Sequence, residues 1–266
     1  MPHPLHLVAD TAIPLAAGDR LHLVETAAPE LFPHLTAGGG RLPRLTVGTR
    51  LSPAGGGPDL LVVGVCSRPG EGDVPAGRVV AAKALADGGL PAGANSFHIE
   101  KTGLALAWIT LSDKGSQGLR MDAAGPAIAE TCAAALPIAL AQGHIIPDEP
   151  RELTALLVDL AITQGFDLVV TTGGTGLSPR DTTPEATLAV LEKRLPGFEA
   201  AMLAASLAKT KHALLSRAVA GTLGQAIVVN VPGSPKAVRE TLAAVLPAIP
   251  HGLDKLRGDP ADCGQG

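Results

Sequence analysis

Between residues 171 and 181 the chain reads Thr171-Thr172-Gly173-Gly174-Thr175-Gly176, with Asp181 following after a short polar stretch. An apolar run, Phe166-Asp167-Leu168-Val169-Val170, leads into the glycines and a helical pattern leads away. In that order of elements, backbone N–H groups converge on an anion at a helix N-terminus, so the expected chemistry is phosphate binding. An isolated Gly-Gly-x-Gly can equally be a tight strand-to-helix connection. Here Thr171, Thr172, Thr175 and Ser178 flank it, and hydroxyls are costly in a purely apolar turn. No Lys follows Gly176 and the G-x-G-x-x-G spacing is absent, so neither a P-loop nor a dinucleotide fingerprint is present. A carboxylate at 181 would repel phosphate unless a cation lay between them. Magnesium, which takes carboxylate, water and phosphate oxygens together, resolves that conflict, although charge complementarity at a helix N-terminus also accounts for an Asp there. Asp148, in Ile145-Ile146-Pro147-Asp148-Glu149, occupies a similar place between strand and helix, and alone it reads as a cap.

Open parallel sheets bind ligands at the carboxyl ends of their strands. Two other predicted strand ends carry polar turns: Thr110-Leu111-Ser112-Asp113-Lys114-Gly115-Ser116 and Asn230-Val231-Pro232-Gly233-Ser234-Pro235-Lys236. From about residue 98 the chain alternates strands with amphipathic helices, the pattern of a parallel sheet covered on both faces. Strands are expected at 104–111, 138–146, 166–171 and 226–231. Helices are expected at 123–135, 149–164, 185–195 and from Pro235 to about Leu246. Leu153, Leu156, Leu157, Leu160 and Ala161 define one helix face, and Ser234 before Pro235 is a natural cap. Residues 1–97 instead string short apolar runs (5–8, 21–24, 45–47, 60–65) between Gly and Pro turns, which suits a small β-rich domain. Residues 78–85 fit either a helix or a strand. The expected fold is α/β, a three-layer mostly parallel sheet over 98–258 preceded by the β-rich domain and followed by a flexible tail, 259–266.

Composition narrows the function classes. A net charge of -4, four Phe, one Trp and no Tyr supply neither a basic footprint nor a stacking platform, so nucleic acid is not an expected partner. Cys66, Cys132 and Cys263 form no C-x-x-C pair, and His3, His6 and His22 have no ligand spacing. Lacking an apolar run of spanning length, the chain is expected to be cytoplasmic, with no membrane partner.

The Thr171–Gly176 turn with Pro179-Arg180-Asp181-Thr182-Thr183-Pro184-Glu185-Ala186 resembles the central motif of the MogA/MoaB-type molybdopterin adenylyltransferases, and Asn230–Lys236 resembles their second signature. Thr110–Asp113, Ile146–Glu149, Leu195-Pro196-Gly197-Phe198 and Leu215-Ser216-Arg217 resemble further family segments in the same order, over about 104–257. The resemblance implies the three-layer fold, a homotrimer, and Mg²⁺-dependent transfer of AMP from ATP to the terminal phosphate of molybdopterin. It implies Asp148 and Asp181 as catalytic and Mg²⁺-holding residues. It further implies Thr172, Gly173, Gly174, Thr175 and Gly176 as phosphate-binding, with Thr110, Ser112, Asn230, Pro232, Gly233, Ser234, Pro235 and Lys236 completing the pocket. A molybdenum-insertion protein is a further implied partner. A non-catalytic molybdopterin-binding or carrier module is the alternative. Two aspartates favour the enzyme, because a pure binder of an anion gains nothing from extra carboxylates.

Overall fold

The computed structural model describes residues 4–26, 31, 33–38, 40–70, 72 and 75–259. They form two compact units divided at Gly103/Leu104. The boundary lies beyond the expected 97/98 because the last strand of the first unit runs on to Glu100, paired there with Arg50. Of the expected tail, all but Asp259 lies outside the described residues.

The first unit holds β1 (Leu5–Ala9), β2 (Ile13–Leu15), β3 (Arg20–Val24), β4 (His34–Ala37), β5 (Arg50–Pro53), β6 (Leu60–Arg68), β7 (Gly77–Ala84), β8 (Gly88–Leu90) and β9 (Gly93–Glu100). Seven of these close a barrel in the order β1-β4-β3-β7-β6-β5-β9, while β2 and β8 form a separate two-stranded ribbon. Alternation sends Leu5, Leu7 and Ala9 inward from β1, and Leu21 and Leu23 from β3, onto buried Leu35, Leu51, Leu60 and Phe97. Residues 78–85 resolve as strand, since Gly77–Ala84 pairs on both sides, with β3 and β6. The strand expected at 45–47 does not form. Leu45 and Val47 are buried, but the Leu45 amide turns back to the Pro43 carbonyl and Gly48 adopts φ +79°.

The second unit holds β10 (Leu104–Leu111), α1 (Asp113–Ser116), α2 (Ala124–Ala135), β11 (Ile138–Ile146), α3 (Pro150–Val158), β12 (Leu168–Thr172), α4 (Thr183–Leu188), β13 (Lys193–Arg194), α5 (Pro196–Leu207), β14 (Ala220–Leu223), β15 (Ala226–Val231), α6 (Pro235–Val245) and α7 (Ile249–Leu256). Its sheet runs β11-β10-β12-β15-β14-β13. The first four strands are parallel, and β14 and β13 are added antiparallel. Leu106, Leu168, Val170, Ile227 and Val229 pack into one cluster with α2, α6 and α7. Strand residues of opposite parity, Ala105, Ala107, Ile109, Val169 and Val228, are equally buried, so both faces are covered. The chain leaves β10 toward β11 through α2 and returns past β10 to β12 through α3. Right-handed crossovers then set α2 and α3 on opposite faces and make the β10/β12 carboxyl ends the topological switch point.

Two helices depart from their sequence pattern. The 149–164 helix changes at Asp159 to a π-helical turn ending on Gly165 at φ +74°. The 185–195 helix stops at Leu188, because the amides of Glu192 and Leu195 are taken by the carbonyls of Thr222 and Ala220, drawing Lys193 and Arg194 onto the sheet edge. Cys132 is fully buried on the inner face of α2, and burial pushes its thiol up to about 12.

Candidate functional site

Three turns meet at the switch point. β10 ends in Thr110, whose hydroxyl donates to Asp122 Oδ2 at 2.8 Å, and Asp122 Oδ1 accepts the Ala124 and Gly125 amides, both at 3.0 Å. Ser112 caps α1 through the Gly115 amide at 3.0 Å. β12 ends in Thr172, whose hydroxyl donates to the Pro232 carbonyl at 2.8 Å and so ties the glycine turn to the turn after β15. Between these turns lies a cavity of about 210 Å³ whose walls include Thr110, Ser112, Asp122, Thr172, Gly173 and Gly233. Arg120 and Pro235 also line it.

The glycine turn has the conformation that its sequence requires. Gly173 sits at φ +99°, and a Cβ there would lie 2.6 Å from the Leu111 carbonyl oxygen. Gly174 sits at φ +62°, where a Cβ would meet Thr183 Oγ1 at 2.3 Å. Thr183 holds the turn from the α4 side: its hydroxyl donates to the Gly173 carbonyl at 2.9 Å and its amide to the Gly174 carbonyl at 3.2 Å. The Gly173 and Gly174 carbonyls turn toward α4 and those of Thr175 and Gly176 toward Arg217, while Gly173 continues the pairing of β12 with Val231, leaving the amides of Gly174, Thr175 and Gly176 with no hydrogen-bond acceptor among the described residues. Three adjacent donors of this kind are suited to a multiply charged oxyanion.

Carboxylates flank the turn. Asp148 Oδ1 lies 3.6 Å from where a Gly174 Cβ would stand, and Asp181 Oδ2 lies 2.8 Å from the corresponding point at Gly176. Asp148 and Asp113 brace each other: the Asp113 amide donates to Asp148 Oδ2 at 3.2 Å and the Asp148 amide to Asp113 Oδ1 at 3.1 Å. Arg180 donates to both Asp113 oxygens at 2.7 and 2.9 Å and to Glu149 at 3.0 Å. The Asp148 amide, then Arg180, hold the Asp113 carboxyl below its ordinary range. Burial pushes Asp148 up, reinforced by the charges of Asp113 and Asp181 and opposed by the Asp113 amide and Arg180. Asp181 anchors one oxygen on the Ser178 amide at 2.8 Å. Among the described residues no three acidic or metal-ligating side chains form a ready-made metal cage. The donor set does fit Mg²⁺ as that ion is bound beside phosphates, through one or two carboxylates plus substrate oxygens.

Most of the predicted residues fall into two groups. Thr110, Ser112, Thr172, Gly173, Gly233 and Pro235 line the cavity, while Gly174, Thr175, Gly176, Asp148 and Asp181 form the adjoining glycine and carboxylate side. Pro232 contributes its carbonyl to Thr172, and Ser234 caps α6 through the Ala237 amide at 3.2 Å. Lys236 is exposed at the start of α6 and does not line the cavity. Asn230 is fully buried behind the strand ends, donating to Thr171 Oγ1 at 2.7 Å and Thr187 Oγ1 at 3.0 Å. Asp113 and Asp122 are among the site residues that carry no role in the sequence reading. Asp113 acts through a partner far along the chain. Asp122 did carry a local signal, an Asp two residues before a helix start.

A family model described as "Probable molybdopterin binding domain" matches residues 107–251. A molybdopterin adenylyltransferase of Helicobacter pylori (strain J99) is 41% identical over 152 residues, covering 57% of this chain and 86% of the relative. Gephyrin of Dictyostelium discoideum is 38% identical over 161 residues, 57% of this chain but only 22% of gephyrin's length. The crystal structure of the molybdopterin biosynthesis enzyme MoaB from Thermus thermophilus superposes with a TM-score of 0.55 at 44% identity, covering 60% of this chain and 99% of that one. Through residues 107–251, the chain belongs to the MogA/MoaB-type family of molybdopterin-binding domains of molybdenum cofactor biosynthesis.

Proposed function

We propose that the second unit transfers AMP from ATP to the terminal phosphate of molybdopterin. A phosphate oxygen of the pterin attacks the α-phosphorus of ATP, the bond from that phosphorus to the bridging oxygen breaks, and pyrophosphate leaves with the bonding pair. The observation that carries this reading is the run of three acceptor-free amides, Gly174 to Gly176, beside the carboxylates of Asp148 and Asp181. The amides bind phosphate oxygens, and the attacking phosphate is already ionised near neutral pH, so neither aspartate has to serve as a strong base. Asp148 and Asp181 instead hold and orient Mg²⁺, which supplies charge neutralisation for phosphoryl-type transfer. The cavity walled by Thr110, Ser112 and the turn after β15 receives the rest of the substrates. Most of the rate then comes from positioning and electrostatics.

Assembly as a homotrimer in the cytoplasm belongs to the same reading. Leu119, Met121 and Leu177, which are 74%, 92% and 66% exposed in the single chain, are apolar surface that an assembly would cover.

The deciding experiment measures pyrophosphate release from ATP and Mg²⁺ with and without molybdopterin, in the wild type and in Asp181→Asn. Release that needs molybdopterin and drops by about 100-fold or more in the variant is expected. Tight molybdopterin binding with no release would replace the enzyme by a carrier module.

A further inference from the structure

The loop from Gly173 to Thr182 has little structure of its own. Its internal ties are the Asp181 amide to the Ser178 carbonyl at 2.9 Å, the Ser178 amide to Asp181 Oδ2 at 2.8 Å and the Arg180 amide to Ser178 Oγ at 3.5 Å, and the Arg180 side chain moors it to Asp113 and Glu149. Thr183 grips it from the α4 side. On the other side stands Arg217, in the extended segment that leads into β14. The Arg217 amide donates to the Thr175 carbonyl at 3.1 Å, Nε to the Gly176 carbonyl at 2.8 Å and Nη2 to the Asp181 carbonyl at 2.5 Å. Nη1 pairs with the Glu185 carboxylate on α4. One residue therefore joins the glycine turn, the peptide of Asp181 and the first turn of the following helix.

We infer that Arg217 is the positioning residue that sets the distance between the phosphate-binding amides and the Asp181 carboxylate. Each guanidinium nitrogen is engaged, by two main-chain carbonyls and one carboxylate, so three of its five N–H donors are given to holding the protein's own groups. The planar fork matters, because it addresses Gly176 and Asp181 together in one fixed plane. A lysine ammonium keeps the charge but cannot hold both carbonyls in that geometry. Thr183 fixes where the turn begins and Arg217 fixes where it ends, which orients the amides between them.

The inference rests on the adenylyl-transfer reading for its kinetic consequence only, so its test has two arms. In the first, hydrogen exchange is followed at the bonded loop amides of Ser178, Asp181 and Thr183 in wild type, Arg217→Lys and Arg217→Gln. At least tenfold faster exchange there is expected in both variants, with β10 and β12 amides unchanged. In the second, Arg217→Lys lowers AMP transfer at least tenfold when Asp181 is present and adds no further loss to Asp181→Asn, since it acts through that residue. Unchanged exchange at the loop, or a loss that adds in full to that of Asp181→Asn, overturns the assignment. In a protein that transfers no AMP, the exchange arm decides alone.

Discussion

The barrel and the α/β unit bury similar apolar side chains but treat polar ones differently. Among the described residues, the barrel unit buries only Thr49 and Asn95 as polar side chains. The α/β unit buries Thr110, Thr171, Thr172, Thr175, Thr183, Thr187 and Asn230 together around its β10, β12 and β15 ends. Burying a hydroxyl or amide is unfavourable unless each is partnered. Most of these groups find partners within the same cluster of turns: Thr110 with Asp122, Thr172 with Pro232, Thr183 with Gly173, and Asn230 with Thr171 and Thr187. Even so, Asn230 Oδ1 has no partner among the described residues. The barrel interior is built almost wholly of apolar side chains, whereas the strand ends accept polar cost to hold a turn in one shape.

That contrast can be broken or sharpened by substitution. The largest effect is expected at Gly174→Ala, where a Cβ would stand 2.3 Å from Thr183 Oγ1 in a left-handed conformation. Phosphate-dependent activity should fall by about 100-fold or more, the scale of losing preorganised donors, while a melting transition of the barrel stays in place. Retained activity would mean that the turn is only a connector. Phe97→Ala in the fully buried barrel core is expected to cost about 3–5 kcal/mol of that unit's stability with turnover per folded molecule unchanged. Lost turnover at full folding would make the barrel part of the site. Thr110→Val, which removes the donor to Asp122, should weaken ligand binding by about tenfold, corresponding to roughly 1.4 kcal/mol; calorimetry reads this directly.

The smallest effect concerns pH. Asp148 is raised above its ordinary range by burial and by neighbouring carboxylates, so the folded state holds its proton more tightly than the unfolded state. Its contribution to stability is therefore lost as pH rises through the ordinary carboxylate range toward the raised value. Asp148→Asn should accordingly melt slightly higher than wild type at pH 7, with the difference vanishing below the ordinary carboxylate range. A difference that persisted in acid would assign the effect to something other than charge.

What could be read in the sequence was local. β10, β11, β15 and the start of α6 follow from apolar runs and from the Ser234-Pro235 cap, and they appear at Leu104–Leu111, Ile138–Ile146, Ala226–Val231 and Pro235. What could not be read depended on distant pairing. Barrel closure joins β1 to β9 across the whole first unit, and β3 runs parallel to β4, its immediate successor in the chain. The 185–195 pattern lost its second half to β14, a partner that helical periodicity does not reveal. Within the site, the glycines and Asp181 stood out because positive φ and an isolated carboxylate leave a local trace. Asp113 did not, because its role comes from Asp148 and Arg180, brought to it by the fold.

The buried thiol of α2 has a practical consequence. Cys66 is exposed on the barrel, whereas Cys132 is fully buried with its proton tightly held. In a chain with Cys263 replaced by Ser, an alkylating reagent would label the first site at once and the second only during excursions that lift α2 from the sheet. The slow labelling rate would then serve as a built-in clock for opening of the layer beside the ligand cavity, and ligand occupancy should slow that clock.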